Sequence, residues 1–151
     1  NLKIWMTRKM NRKYKIVSQF IKDLSSETKN LETYIYVQDI ISRYNLNIEI
    51  NSKPFKNKMI EIDTVLKFHD SENMNFKLLF ELIYTSVIKI NESIINKEEL
   101  EKIVICDVQE EIFPKLKDIF LNLIHNCGYE NVTFDKDINF QNLYKEKINQ
   151  K

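Results

Sequence analysis

Residues 76–90 read FKLLFELIYTSVIKI. Phe76, Leu78, Phe80, Leu82, Tyr84, Ile88 and Ile90 share one side of an extended chain, broken only by Ser86. The other side carries Lys77, Leu79, Glu81, Ile83, Thr85, Val87 and Lys89. A period of two held this long predicts a strand with one apolar face. At about 3.3 Å per residue such a strand spans roughly 50 Å, long for so small a chain. It must bend, or join a sheet that a partner chain extends.

The same alternation lies upstream. Ile60, Ile62, Thr64, Leu66 and Phe68 alternate with Glu61, Asp63, Val65 and Lys67, and Leu46, Ile48 and Ile50 alternate with Asn47, Glu49 and Asn51. Both read as one-sided strands, with a turn over 54–57 between them and a loop of turn residues over 70–75. Residues 14–24 (YKIVSQFIKDL) place apolar residues on both faces, which predicts a strand partly buried on two sides. A polar break over 25–30 follows, and 31–44 reads as an irregular arm or a short helix.

Downstream the period changes to helical. Residues 97–105 predict one helix, and Ile112, Leu116, Ile119, Phe120, Leu123 and Ile124 a second. Glu98-Glu99 and Glu110-Glu111 sit near the two expected helix starts, where carboxylates complement the dipole. Gly128 stands where a left-handed residue would end the second helix. An irregular connection leads to a short helix over 140–148. The expected fold is α+β: a four-stranded antiparallel sheet, Greek key or meander, then a long helix and a short C-terminal one.

Of 151 residues, 22 are Ile, 20 Lys and 17 Asn, with one Gly and no Ala. One glycine excludes Gly-rich phosphate loops and dinucleotide fingerprints. No apolar run reaches the length of a membrane span, and no secretory signal pattern opens the chain. Residues 1–13 carry five basic side chains and no acidic one, and 145–151 are also basic, so the body between is mildly acidic. That balance argues against a nucleic-acid-binding face. Residues 1–13 are expected to be a frayed or added extension, with a natural-looking start at Met10. Residues 14–148 form a single domain, and 149–151 a tail.

Cys106 and Cys127 make neither a disulfide framework nor a zinc spacing, and His69 and His125 stand apart. No catalytic or metal-ligating set emerges, and no cofactor is expected.

Four segments in order carry a resemblance: IKDLSSE (residues 21–27), FELIYTSVIKI (80–90), IFPKLKDIF (112–120) and INFQNLYKEK (138–147). Together they resemble the SecB family of bacterial export chaperones from Tyr14 to Lys147. There are departures. The family's Cys-Pro lies four residues before its Phe-Pro, whereas Cys106 lies seven before Phe113 with no proline after it. Lys117 replaces a common arginine, and Thr85-Ser86 a frequent glycine pair. Net charge is +1, where the family is often strongly acidic.

The resemblance implies a cytoplasmic, ATP-independent holdase, not an enzyme. It would bind unfolded precursor proteins and deliver them to the SecA motor, without nucleic acid or direct membrane insertion. It implies a homotetramer built as a dimer of dimers, with Phe80, Leu82, Tyr84, Ile119 and Leu123 near subunit contacts. Asp23, Glu27, Leu79 and Glu81 match the positions that dock the zinc-binding tail of SecA. Client grooves are expected to be lined by Phe113, Leu116, Phe134, Phe140, Leu143 and Tyr144. The alternatives are a SecB-like chaperone of a toxin–antitoxin pair, or a small-molecule or enzymatic α+β domain.

Overall fold

The computed structural model describes residues 13–72, 79–94 and 96–149. Strand β1 spans Tyr14–Ser25. Helix α1, Leu31–Ile40, runs into a 3-10 turn at Ile41–Arg43. Strands β2 (Tyr44–Phe55), β3 (Met59–Asp70) and β4 (Phe80–Ile90) follow. Then come α2 (Lys97–Lys102), a π-helical turn (Ile103–Asp107), α3 (Val108–Asn126) and α4 (Phe140–Asn149).

The sheet order is β1-β4-β3-β2, antiparallel throughout. The first strand lies beside the fourth, so the topology is the Greek key and not the meander. β1 and β2 are therefore the two edges. β4 has 11 residues and begins at Phe80. The expected start at Phe76, with Lys77 and Leu78, lies outside the described residues, and Leu79 precedes the strand. The shortened strand spans roughly 36 Å, which one small domain accommodates.

The inner face of the sheet packs on α3. Ile62, Leu66, Leu82 and Ile88 meet a stripe of Ile112, Leu116, Phe120 and Ile124, all buried. The four-residue spacing of that stripe keeps it on one side of the helix. The segment 31–44 resolves into α1 and the 3-10 turn. Asn30 caps α1, accepting from the backbone N–H of Thr33 at 2.8 Å.

The two expected helices are one continuous helical run. The π turn inserts its extra residue at Ile103–Asp107, where Ile103, Val104, Ile105 and Cys106 are all buried. A run of four buried residues breaks the 3–4 period, which is why the sequence shows two helices. Glu110 and Glu111 consequently lie inside the run rather than at a free start. Glu98 and Glu99 do occupy a first turn, capped by Asn96, which accepts from the Glu98 N–H at 2.9 Å.

Gly128 closes the run with φ +103°. The Gly128 N–H donates to His125 O at 3.0 Å and the Tyr129 N–H to Ile124 O at 3.3 Å, a Schellman ending. Arg43 joins the 3-10 turn to the end of β3. Its Nε and Nη2 donate to the two carboxylate oxygens of Asp70 at 2.8 Å each. Asp70 is only 3% exposed, so this fork holds a charge that burial would otherwise disfavour.

Among the described residues, one buried side-chain polar atom has no partner, Ser86 Oγ, on the inner face of β4. Its neighbour Thr85 points to the outer face and donates to Asp63 Oδ1 at 2.8 Å.

Candidate functional site

A cavity of about 1120 Å³ opens where edge strand β2 meets the 3-10 turn and the chain after α3. Tyr44, Leu46 and Ile48 of β2, with Phe68 of β3, form its apolar floor. Val132, Phe134, Ile138 and Leu143 form the opposing wall. Alternation along β2 supplies the floor, because Tyr44, Leu46 and Ile48 share a face. The wall is fixed by aromatic packing: Phe134 lies 5.4 Å from Phe68 and 6.1 Å from Phe120, ring centre to ring centre. His125 anchors the same segment through a 2.7 Å hydrogen bond between Nε2 and Val132 O.

Helix α1 continues this apolar surface. Leu31, Ile35 and Tyr36 are exposed, Leu31 at 70%, and Ile41 lines the cavity. Tyr34 fastens α1 to the end of α3: its hydroxyl donates to Gly128 O at 2.9 Å, and its ring lies 5.2 Å from Tyr129. Burial first, then the Asp70 charge, pushes the Tyr44 hydroxyl up to about 12, so it stays neutral at ordinary pH. The site can bind apolar side chains and extended backbone. Its lining also includes the polar side chains of His69, Glu130, Asp135 and Lys136.

Of the six expected client residues, Phe134 and Leu143 line this cavity. Leu116 and Phe140 are core residues, fully and almost fully buried. Phe113 packs on Phe140, ring centres 5.4 Å apart, and the Tyr144 hydroxyl donates to Glu98 O at 3.2 Å. These four hold α4 to the helical run. Sequence reading missed Tyr44, Leu46, Ile48 and Phe68. Their alternation was visible, but nothing local marks β2 as an edge strand facing residues 132–143.

The outer face of the sheet carries the expected acidic group at one end. Asp23 pairs across from Ile83 and Ser25 from Glu81, which sets Asp23 and Glu81 diagonally on one face. Ser25 Oγ donates to Asp23 Oδ2 at 3.0 Å. Glu27 lies just beyond the strand, exposed, and Leu79 just before β4, half-buried. Toward the middle of this face, Lys22 bridges Asp63 at 2.9 Å. Burial acts to raise the Asp63 carboxyl, but the hydrogen bonds from Lys22 and Thr85 outweigh it and hold the carboxyl below its usual value. A depressed carboxyl stabilises the fold above its unfolded pKa, and that contribution is lost as pH falls through the folded value.

Phe80, Leu82 and Tyr84 are buried in the core of this chain. The period-two pattern that placed them on an apolar face gave no sign of which helix would cover it. Ile119 and Leu123 are half-buried against the same core. A further uncovered apolar surface is on β1, where Val17, Phe20, Ile21 and Leu24 are 41–46% exposed. Cys106 is buried and its S–H donates to Phe140 O at 3.4 Å; burial, then Asp107 and Glu110, raises its pKa, so it is an unreactive thiol. Among the described residues no group of His, Cys, Asp and Glu could hold a metal ion, and no helix is long and apolar enough to cross a membrane.

A Greek-key sheet backed on one face by a long helix, with an apolar groove at its edge, is the architecture of a SecB-like protein. Residues 7–151 match the family described as preprotein translocase subunit SecB, and the chain belongs to that family. It is 49% identical over 140 residues to a Pelagibacter ubique protein provisionally named protein-export protein SecB, covering 93% of this chain and 100% of that one. It is 24% identical over 135 residues to protein-export protein SecB of Xanthobacter autotrophicus, covering 89% and 85%. The fold is similar to a Mycobacterium tuberculosis SecB-like chaperone solved in complex with an antitoxin peptide. That match has a TM-score of 0.54 at 9% identity and covers 86% of this chain and 95% of the other.

Proposed function

We propose that this chain is an ATP-independent, cytoplasmic holdase that binds unfolded secretory precursors and delivers them to the SecA motor. The observation that carries the reading is the open groove on edge strand β2. An extended client can pair with a strand edge while its side chains enter apolar pockets, a mode that needs no fixed sequence. Leu46, Phe134 and Leu143 are its proposed contacts, with the exposed stripe of α1 extending the track. A sequence with one glycine offers no phosphate-binding loop, in keeping with binding that ATP does not drive. The export names of the 49% and 24% identical relatives favour secretory clients over an antitoxin.

In this reading the chain works as a homotetramer, with the exposed side chains of β1 and the flank of α3 at Ile119 and Leu123 supplying the contacts. Light scattering is expected to give the mass of four chains. The tetramer is expected to suppress aggregation of a reduced, unfolded precursor without ATP. The double substitution Leu46→Asp with Leu143→Asp should weaken client binding at least about tenfold, since each leucine loses its buried contact, while particle mass stays unchanged. A particle that never slows aggregation would overturn the holdase reading.

Asp23, Glu27, Leu79 and Glu81 are the proposed docking group for the basic tail of SecA. Charge pairing on an exposed sheet face steers association and weakens with salt. Asp23→Ala or Glu81→Lys is expected to reduce tail affinity several-fold in titration calorimetry at low salt, with client binding intact. Tail binding that neither variant nor salt alters would remove this assignment.

A further inference from the structure

At the other end of the outer sheet face, four residues line up across all four strands. Phe55 pairs with Met59, Met59 with Lys89, and Lys89 with Lys15. Residues directly opposite share a face, so this row spans about 15 Å of one surface. Phe55 is 56% exposed, and Lys15 and Lys89 are exposed beside each other. Like charges directly across a strand pair destabilise the sheet, so fold stability does not account for them.

The turn at the tip adds Lys56 and Lys58. Asn57 and Lys58 both have φ +59°, and the Met59 N–H donates to Lys56 O at 3.2 Å. This is the tight hairpin turn whose second central position favours glycine; here it presents a lysine. Among the described residues, Lys15, Lys56, Lys58 and Lys89 join no ion pair. Lys53 is engaged with Glu61 at 2.9 Å and Lys13 with Glu99 at 3.2 Å.

We propose that this end of the sheet is a docking surface for an anionic phospholipid bilayer. The ammonium groups meet headgroup phosphates while Phe55 enters the headgroup–acyl boundary, the division of labour of interfacial side chains. The unpaired cations are all lysines, point charges that suit a fluid array of phosphates. The arginine forks that grip a fixed phosphate geometry are absent from the row. The row is broad, not the channel that tracks a single nucleic-acid strand. The contact is peripheral, and Asp23 and Glu81 sit at the far end of the same face, away from the anionic surface. The surface shares no residue with the client groove, so its test is independent of the holdase reading.

The test is co-sedimentation of the full chain with vesicles. Binding is expected to equal-part phosphatidylglycerol and phosphatidylcholine vesicles at low salt, falling as salt rises, and not to pure phosphatidylcholine. The triple substitution Lys56→Gln, Lys58→Gln, Lys89→Gln is expected to lower the binding constant at least about tenfold, with particle mass and melting unchanged. Phe55→Trp in a Trp5→Phe background should show a blue-shifted emission on phosphatidylglycerol vesicles. No binding at low salt, equal binding to neutral vesicles, or an unaffected triple variant would overturn the proposal. So would an absent blue shift, or tighter binding to a short single-stranded oligonucleotide at the same salt.

Discussion

Gln109→Leu is expected to destabilise the fold by about 2 kcal/mol, read as a lower urea midpoint with an unchanged slope. Gln109 is fully buried behind the π turn. Its Nε2 donates to Val104 O at 3.3 Å, and its Oε1 accepts from Thr64 Oγ1 at 3.0 Å. The side chain thus ties a carbonyl of the irregular turn to the middle of β3. Leucine fills similar space but leaves the Thr64 hydroxyl buried without its acceptor, and an orphaned polar group costs more than the bond it made. Adding Thr64→Val removes the orphan, so the double variant should recover much of the loss. A double-mutant cycle with no coupling between the two sites would refute this account.

Gly128→Ala is expected to cost about 2 kcal/mol or more and to loosen α1. A Cβ at Gly128 would lie 2.6 Å from Tyr34 Cε2 and 3.0 Å from its hydroxyl oxygen, and φ +103° is strained for any residue with a Cβ. The tyrosine must swing away, which removes its hydrogen bond to Gly128 O and its contact with Tyr129. Both Gly128 and Tyr129 line the groove, so client affinity should fall together with stability. Tyr34→Ala with Gly128→Ala relieves the clash but not the backbone strain, and should recover only part of the stability. A Gly128→Ala protein that melts with the wild type would contradict the left-handed geometry.

How far the sequence was legible depends on the distance over which each feature is set. The inward faces of β3 and β4 are written by alternation, and the end of α3 by its lone glycine. The ending could be read because the left-handed requirement belongs to one residue. The π turn was not legible: Ile103 to Cys106 present four buried residues in a row, which fits no single period. That β1 lies beside β4 is set by a pairing such as Tyr14 with Ile90, far apart in the chain, and no local pattern encodes it. The groove suffered most. Its floor and wall come from β2 and from residues 132–143, each ordinary alone. Apolar residues on α3 and α4 looked equally available until Leu116 and Phe140 proved to be core. The acidic positions on β1 and β4 were placed from the family resemblance, and adjacency in the sheet then set Asp23 and Glu81 diagonally.

The pairing of β1 with β4 shifts register twice, between Ile16 and Ser18 and between Ile21 and Asp23. A flat apolar edge is a template to which copies can add without limit, as in a fibril. β1 is apolar at Val17, Phe20, Ile21 and Leu24 but not flat, because each irregularity kinks the strand and increases its twist. Lys22 falls within the second irregularity and is held by Asp63. An incoming strand therefore finds an edge that accepts few registers. A member of an export-chaperone family thus carries, in two misaligned residues of its first strand, its own stop signal against polymerisation.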